Sequence, residues 1–227
     1  FVYDDSDRLQ HMFFEEGQIT DEVRDYYKNK DALLGEILER MDDETKLMIL
    51  SDHGFTDFNK SVELNAWLRQ EGYLVLKEEP KRGEDTTLFK YVDWSKTKAY
   101  SVGFSGIYLN LEGREAQGIV SEEEKNALLT EIKGKLLDFT DSSTNSSPVK
   151  KVYLSSEAFN GPYVGESPDI IVGFRKGYRS GWESPIGGTP KAPIVMNLKK
   201  WQADHIVDPS EVPGSLLTNF NISEKKK

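Results

Sequence analysis

Residues 47–55 read LMILSDHGF. The four apolar residues at 47–50 are too few for a helix and suit a short strand buried in a parallel sheet. Ser51, Asp52, His53 and Gly54 follow at once. In parallel α/β sheets ligands gather beyond the carboxyl ends of the strands. An Asp-His pair at that point is therefore placed for binding, and Gly54 lets the backbone turn away without a side chain crowding it. A buried parallel strand that ends in ligand-type residues points to an α/β fold.

The flanks agree with that class. Residues 1–3 read as a strand, and Asp5 or Ser6 can cap a helix that starts near Asp7. Val23, Leu33, Leu34, Ile37, Leu38 and Met41 give the apolar stripe of a second helix after Thr20. Beyond the central stretch, Asn65, Trp67 and Leu68 suggest a helical turn, residues 72–76 a strand, and residues 77–87 a polar linker with Pro80 and Gly83. The texture then changes. Strands are expected at 99–102, 106–111 and 118–120. Ser121 and Glu124 form a capping box opening a helix with Leu128, Leu129, Ile132, Leu136 and Leu137 as its buried stripe. Strands at 149–154 and 170–174 follow, then an irregular Gly/Pro-rich loop at 177–193 and a return to the core at 207–217. The organisation expected is a core segment at 1–84, a smaller α+β insert at 85–165, and a return to the core at 166–227.

The bulk numbers set limits. The chain has 227 residues, 37% hydrophobic and 30% charged, as in a folded globular protein. A net charge of -10 argues against nucleic acid as a partner, because phosphate backbones are bound by basic stripes. No apolar run approaches the ~20 residues that span a bilayer, so no membrane partner is expected. Cysteine is absent, which removes thiolate metal sites and thiol nucleophiles and fits a cytoplasmic location without fixing one. The chain opens on Phe1 inside an expected strand, so it reads as a piece of a longer protein.

The chain has three histidines, His11, His53 and His205, and each has an Asp on its N-terminal side: Asp7, Asp52 and Asp204. Asp7 and His11, four apart, share one face of a helix and can reach one ion. His205 sits in a loop that can fold back to the same place. Mixed Asp/His donor sets suit zinc, manganese or iron. Asp204 and Asp208 are candidates to orient His205 from behind.

Three stretches in order carry a resemblance: DSDRLQHMF (5–13), SDHGF (51–55) and WQADHIVDPSEVPG (201–214). VDWSKTKAY (92–100) and SPDIIVGF (167–174) add to it. Together they resemble the C-terminal half of the type I phosphodiesterase/nucleotide pyrophosphatase group of the alkaline phosphatase superfamily. The resemblance implies part of an alkaline-phosphatase-like α/β/α sandwich and two divalent ions, zinc foremost with manganese as the alternative. Asp7, His11 and His205 would hold one ion, and Asp52 and His53 the other. The implied substrate is a phosphate ester or nucleotide, cleaved by in-line phosphoryl transfer. The implied Thr/Ser nucleophile has no counterpart in this chain. The chain alone is therefore expected to be inactive and to need an N-terminal half or another copy. A phosphomonoesterase or phosphomutase of the same superfamily, or an inactive metal-binding module, are the alternatives.

Overall fold

The computed structural model describes residues 1–222. In chain order the elements are α1 (Asp5–Phe13), α2 (Asp21–Leu38), β1 (Met48–Leu50), β2 (Thr56–Val62), α3 (Leu64–Gln70), β3 (Ala99–Ser101), β4 (Gly106–Leu109), α4 (Glu122–Asp138), β5 (Val149–Leu154), α5 (Ser155–Ala158), β6 (Ile170–Phe174), β7 (Gly177–Ser180), β8 (Ile194–Met196), β9 (Ala203–Asp204) and β10 (Leu216–Thr218). The class is mixed α/β, as expected. Two compact units divide the chain. The first takes Phe1–Asp57, Lys199–His205 and the residues from Pro209 on; the second takes Phe58–Leu198 and Ile206–Asp208.

In the first unit, α2 starts at Thr20, whose side chain accepts the Val23 N–H. The Tyr26 hydroxyl donates to Asp5 at 2.7 Å and ties α2 to the start of α1. β1 pairs with β10, placing Ile49 opposite Leu217. Two expectations fail here. β1 is antiparallel to its partner, and Met48, Ile49 and Leu50 are all exposed. The apolar run did make a strand, but the ribbon it joins has two strands and no layer over it among the described residues. Residues 1–3 form no strand; the Tyr3 ring lies under the Lys30 ammonium, 4.0 Å from its centroid.

The second unit holds the main hydrophobic core. A four-stranded antiparallel sheet in the order β3-β4-β6-β5 packs with α4 around Ile107, Leu109, Ile132, Leu136, Ile170 and Phe174. The capping box at Ser121 and Glu124 is present. Leu137 is exposed and stands outside the helix's buried stripe, since Leu136 takes the inward position next to it.

Residues 72–76 form no strand. Gly72 has φ +78° just past α3, and the Tyr73 and Leu74 N–H groups both donate to Leu68 O. Donors spent on a helix end cannot serve a ladder. Only an isolated bridge from Leu76 to Val92 remains, and the strand expected at 118–120 likewise shrinks to a bridge between Leu111 and Val120.

The expected loop at 177–193 contains a strand, β7, which runs parallel to β2. β2, TDFNKSV, carries few apolar residues, yet it is paired along both edges. The rest of the loop is pinned by the buried Glu63 carboxylate, which accepts the N–H groups of Trp182, Glu183 and Ser184.

Candidate metal centre

α1 is one short helix, and its i,i+4 spacing puts Asp7 and His11 side by side, with Nε2 of His11 3.5 Å from Asp7 Oδ2. The loop after β1 supplies Asp52 and His53. β9 pairs with the first two residues of β2, Thr56 with Asp204 and Asp57 with Ala203, and so delivers His205 beside them. All three imidazoles present Nε2 to one carboxylate. His205 Nε2 lies 3.3 Å and His53 Nε2 3.9 Å from Asp7 Oδ1.

The opposite ring nitrogens explain this orientation. His11 Nδ1–H donates to Ala203 O at 2.7 Å, and His53 Nδ1–H donates to Gly54 O at 3.0 Å. In a neutral ring, a carbonyl on Nδ1 fixes the proton there and leaves the lone pair on Nε2. The pKa of His205 is lowered, first by burial and then by the neighbouring His53, which favours the uncharged ring.

Asp7, His53 and His205 each offer a donor atom, and these atoms all lie within 4.8 Å of one another. His11 adjoins that trio through Asp7. The Asp52 carboxylate is 89% exposed and 3.7 Å from His53 Nε2. Of the five residues expected to ligate metal, Asp7, His53 and His205 are brought together, His11 stands beside them, and Asp52 points into solvent with only its neighbour His53 in reach; the trio crosses the two sets implied by the resemblance. The donor chemistry fits a divalent cation. Asp7 Oδ1 is buried and has no hydrogen-bond partner, although it faces two imidazole nitrogens. Imidazole Nε2 atoms and a carboxylate turned toward one point are the donor set of a divalent cation, and a cation among them satisfies all of them.

The supporting residues are equally specific. Asp204 accepts the His205 N–H on Oδ1 and the Trp201 indole N–H on Oδ2, both at 2.8 Å. Asp208 belongs to the second unit, where its Oδ2 accepts the Tyr153 hydroxyl at 2.8 Å. The 51–54 loop interlocks with residues 212–215. Gly54 N–H donates to Val212 O, Ser51 N–H to Ser215 O, and Ser215 N–H to Ser51 Oγ. The approach is close at Gly54, where a Cβ would stand 3.2 Å from Pro213 O and push it back by a few tenths of an ångström.

Two aromatic residues escaped the sequence reading. Phe55 meets all three imidazoles, with centroids 4.9 Å from His11, 5.6 Å from His53 and 5.4 Å from His205. Trp201 stacks on His11 at 3.8 Å. Each sits inside a motif that also carries a ligand, and that adjacency was the available signal.

Residues 1–188 match the model of the family described as type I phosphodiesterase / nucleotide pyrophosphatase. The chain belongs to this family. The family is part of the alkaline phosphatase superfamily, and the mixed α/β architecture is consistent with its fold. Type I phosphodiesterases/nucleotide pyrophosphatases are phosphodiesterase/pyrophosphatase-type hydrolases and are generally metal-dependent. The family match covers Asp7, His11, Asp52 and His53, while His205 lies past its end. A comparison with individually characterised proteins gives no match. Among the described residues no helix is long and apolar enough to cross a membrane.

Proposed function

We propose that this chain is the metal-holding part of a phosphohydrolase that cleaves phosphodiester or nucleotide pyrophosphate bonds. One observation carries the reading: three imidazole Nε2 atoms converge on the Asp7 carboxylate, whose Oδ1 is buried and has no hydrogen-bond partner. Asp7, His11 and His205 are assigned to one divalent ion, and Asp52 and His53 to a second, with zinc foremost and manganese the alternative. When bound, two such ions neutralise phosphate charge and activate an oxygen nucleophile.

The chain's own residues supply position. His11 and His53 are held by backbone carbonyls and His205 by its neighbour Asp204. Ser51 is not assigned as the nucleophile, because its Oγ accepts the Ser215 N–H at 2.9 Å and serves the loop. The attacking group is instead a Thr or Ser brought by a further segment or a second copy. Support comes from the exposed apolar ribbon of β1 and β10, where Met48, Leu50, Leu216 and Leu217 lie open.

The test is zinc content by elemental analysis of the chain, of His53→Ala and of His205→Ala, alongside hydrolysis of a nitrophenyl phosphodiester and of the matching monoester. Tightly held zinc that is lost in both variants, with neither ester cleaved by the chain alone, is the expected result. Zinc retained by both variants would sink the assignment. Preference for the monoester once the chain is active would move it to a phosphomonoesterase.

A further inference from the structure

Trp201 lies outside the family match and carries no ligand atom for such an ion, yet the contacts of the 201–205 segment close around His11 and His205. The indole stacks on the His11 ring, 3.8 Å between centroids and 27° between planes. Its N–H donates to Asp204 Oδ2 at 2.8 Å, and the other oxygen of that carboxylate accepts the His205 N–H at 2.8 Å. Ala203 O, between them in the chain, accepts His11 Nδ1–H at 2.7 Å. The Gln202 N–H donates to His11 O at 3.0 Å, so the backbone of α1 is tied to the same segment.

These contacts act on different degrees of freedom. The bond to Ala203 selects which ring nitrogen carries the proton. It does not stop the ring from tilting about that bond. The flat indole face does, and the Phe55 ring closes the perpendicular side at 81°. Together they leave His11 one orientation, with Nε2 toward Asp7. An indole buries a large flat area at the cost of only two side-chain torsions, which makes it a good rigid backing.

We infer that Trp201 is a positioning residue of the metal centre: it holds the His11 ring at the tilt that keeps its Nδ1–H bonded to Ala203 and presents Nε2 for coordination, and through Asp204 it couples that geometry to His205. This rests on the metal reading above. Groups that orient metal-ligating histidines typically contribute 10- to 100-fold in metal affinity.

The experiment compares the full chain with Trp201→Leu and Trp201→Phe. Zinc affinity is measured by competition with a chromophoric chelator, and His11 is observed by nitrogen NMR in the metal-free protein. Phenylalanine keeps a stacking face and loses the N–H; leucine loses both. The expected result is a loss of about 10- to 100-fold in zinc affinity for Trp201→Leu, with most of it recovered in Trp201→Phe. The His11 nitrogens should report a single Nδ1–H form in the wild type and a mixture in Trp201→Leu.

Wild-type affinity together with an unchanged His11 signal in a folded Trp201→Leu overturns the inference, as does a folded Trp201→Phe no better than leucine. Should circular dichroism show Trp201→Leu unfolded, Trp201→Phe decides: affinity and His11 signal near wild type support the stack, and a tenfold loss in the folded variant overturns it. A wild-type chain that takes up no zinc sinks the metal reading instead, and the His11 signals still judge whether Trp201 orients the ring.

Discussion

Gly214→Ala should damage the site from behind without touching a ligand. A Cβ at Gly214 would stand 2.3 Å from Ser51 O and 2.9 Å from Asp52 O. Ordinary contact begins at 3.4 Å, so Ser51 O must retreat by 1.1 Å (3.4 − 2.3) or the 212–215 segment must lift off. Both atoms in the way are backbone, and neither can swing aside. The two bonds between Ser51 and Ser215 share that interface and stretch with it. Overpacking of this kind costs about 1–3 kcal/mol, and because both atoms in the way are backbone the upper part of that range, about 2–3 kcal/mol, is expected. For a chain of this size each kcal/mol lowers the melting temperature by about 2–4 °C, giving a drop of about 4–12 °C. His53 follows Asp52 directly, so zinc affinity should fall in step. Gly134→Ala is the control. It lies within α4 with nothing inside 4 Å of a new Cβ, and alanine there should stabilise by about 0.4–1 kcal/mol. Thermal melts followed by circular dichroism and a chelator competition read both variants. A Gly214→Ala protein that melts with the wild type and binds zinc equally well would show that the two segments do not meet in this register.

Asp7→Asn should separate binding from stability. Zinc at 100 times its dissociation constant stabilises a binding protein by about 2.7 kcal/mol, so wild type should melt higher in zinc and Asp7→Asn should not; a zinc shift kept in the variant refutes the site. His205 gives a pH dependence. Its pKa is lowered in the folded chain by burial and by His53, against about 6.5 unfolded, so below about pH 6.5 the unfolded state binds the extra proton and stability falls as pH drops. Guanidinium midpoints of the metal-free protein at about pH 7.5 and about pH 5.5 should show this loss, and it should be missing in His205→Asn. Asn65→Leu should cost about 3 kcal/mol in a guanidinium melt, because buried Asn65 donates to Ser101 O and Gly188 O and accepts the Ser101 N–H, each worth about 1 kcal/mol. An unchanged midpoint would mean that these three bonds do not form.

What the sequence made legible follows from the range of the forces involved. α2 and α4 are written in local apolar periodicity and in the caps at Thr20 and Ser121, so both were readable. β2 was not, because its stability comes from partners more than a hundred residues away: β7, β8 and β9. The run at 47–50 showed a strand correctly and its burial wrongly. Apolar residues state what a segment can bury, and the other layer must come from elsewhere. In the site, residue type and i,i+4 spacing exposed the Asp and His residues. Which nitrogen of each ring faces inward depended on the carbonyls of Gly54 and Ala203, and main-chain carbonyls leave no mark in a sequence.

The two units divide the labour of the molecule unequally. The large buried cluster, from Val62 to Tyr178, lies entirely in the second. In the first, only Val23, Ala203 and Val212 are buried among the described apolar residues, while His11, Asp204 and Thr56 occupy interior positions. A unit so poor in apolar burial gains little from the hydrophobic effect, at roughly 25 cal/mol per Å² removed from water. It nevertheless keeps Asp7 Oδ1 buried without a hydrogen bond and turns three imidazole Nε2 atoms toward that carboxylate. An arrangement selected for stability alone would have replaced these groups with packed apolar ones. The polar convergence therefore points to binding, and on the metal reading proposed above the same thin core makes bound metal a large fraction of what holds the unit folded. Chelation should accordingly loosen amides in α1 and around residues 51–57 and 201–205 in hydrogen exchange while leaving α4 and β3 to β6 protected. Uniform protection with and without chelator would show that the first unit stands without metal, and that its polar interior has another cause.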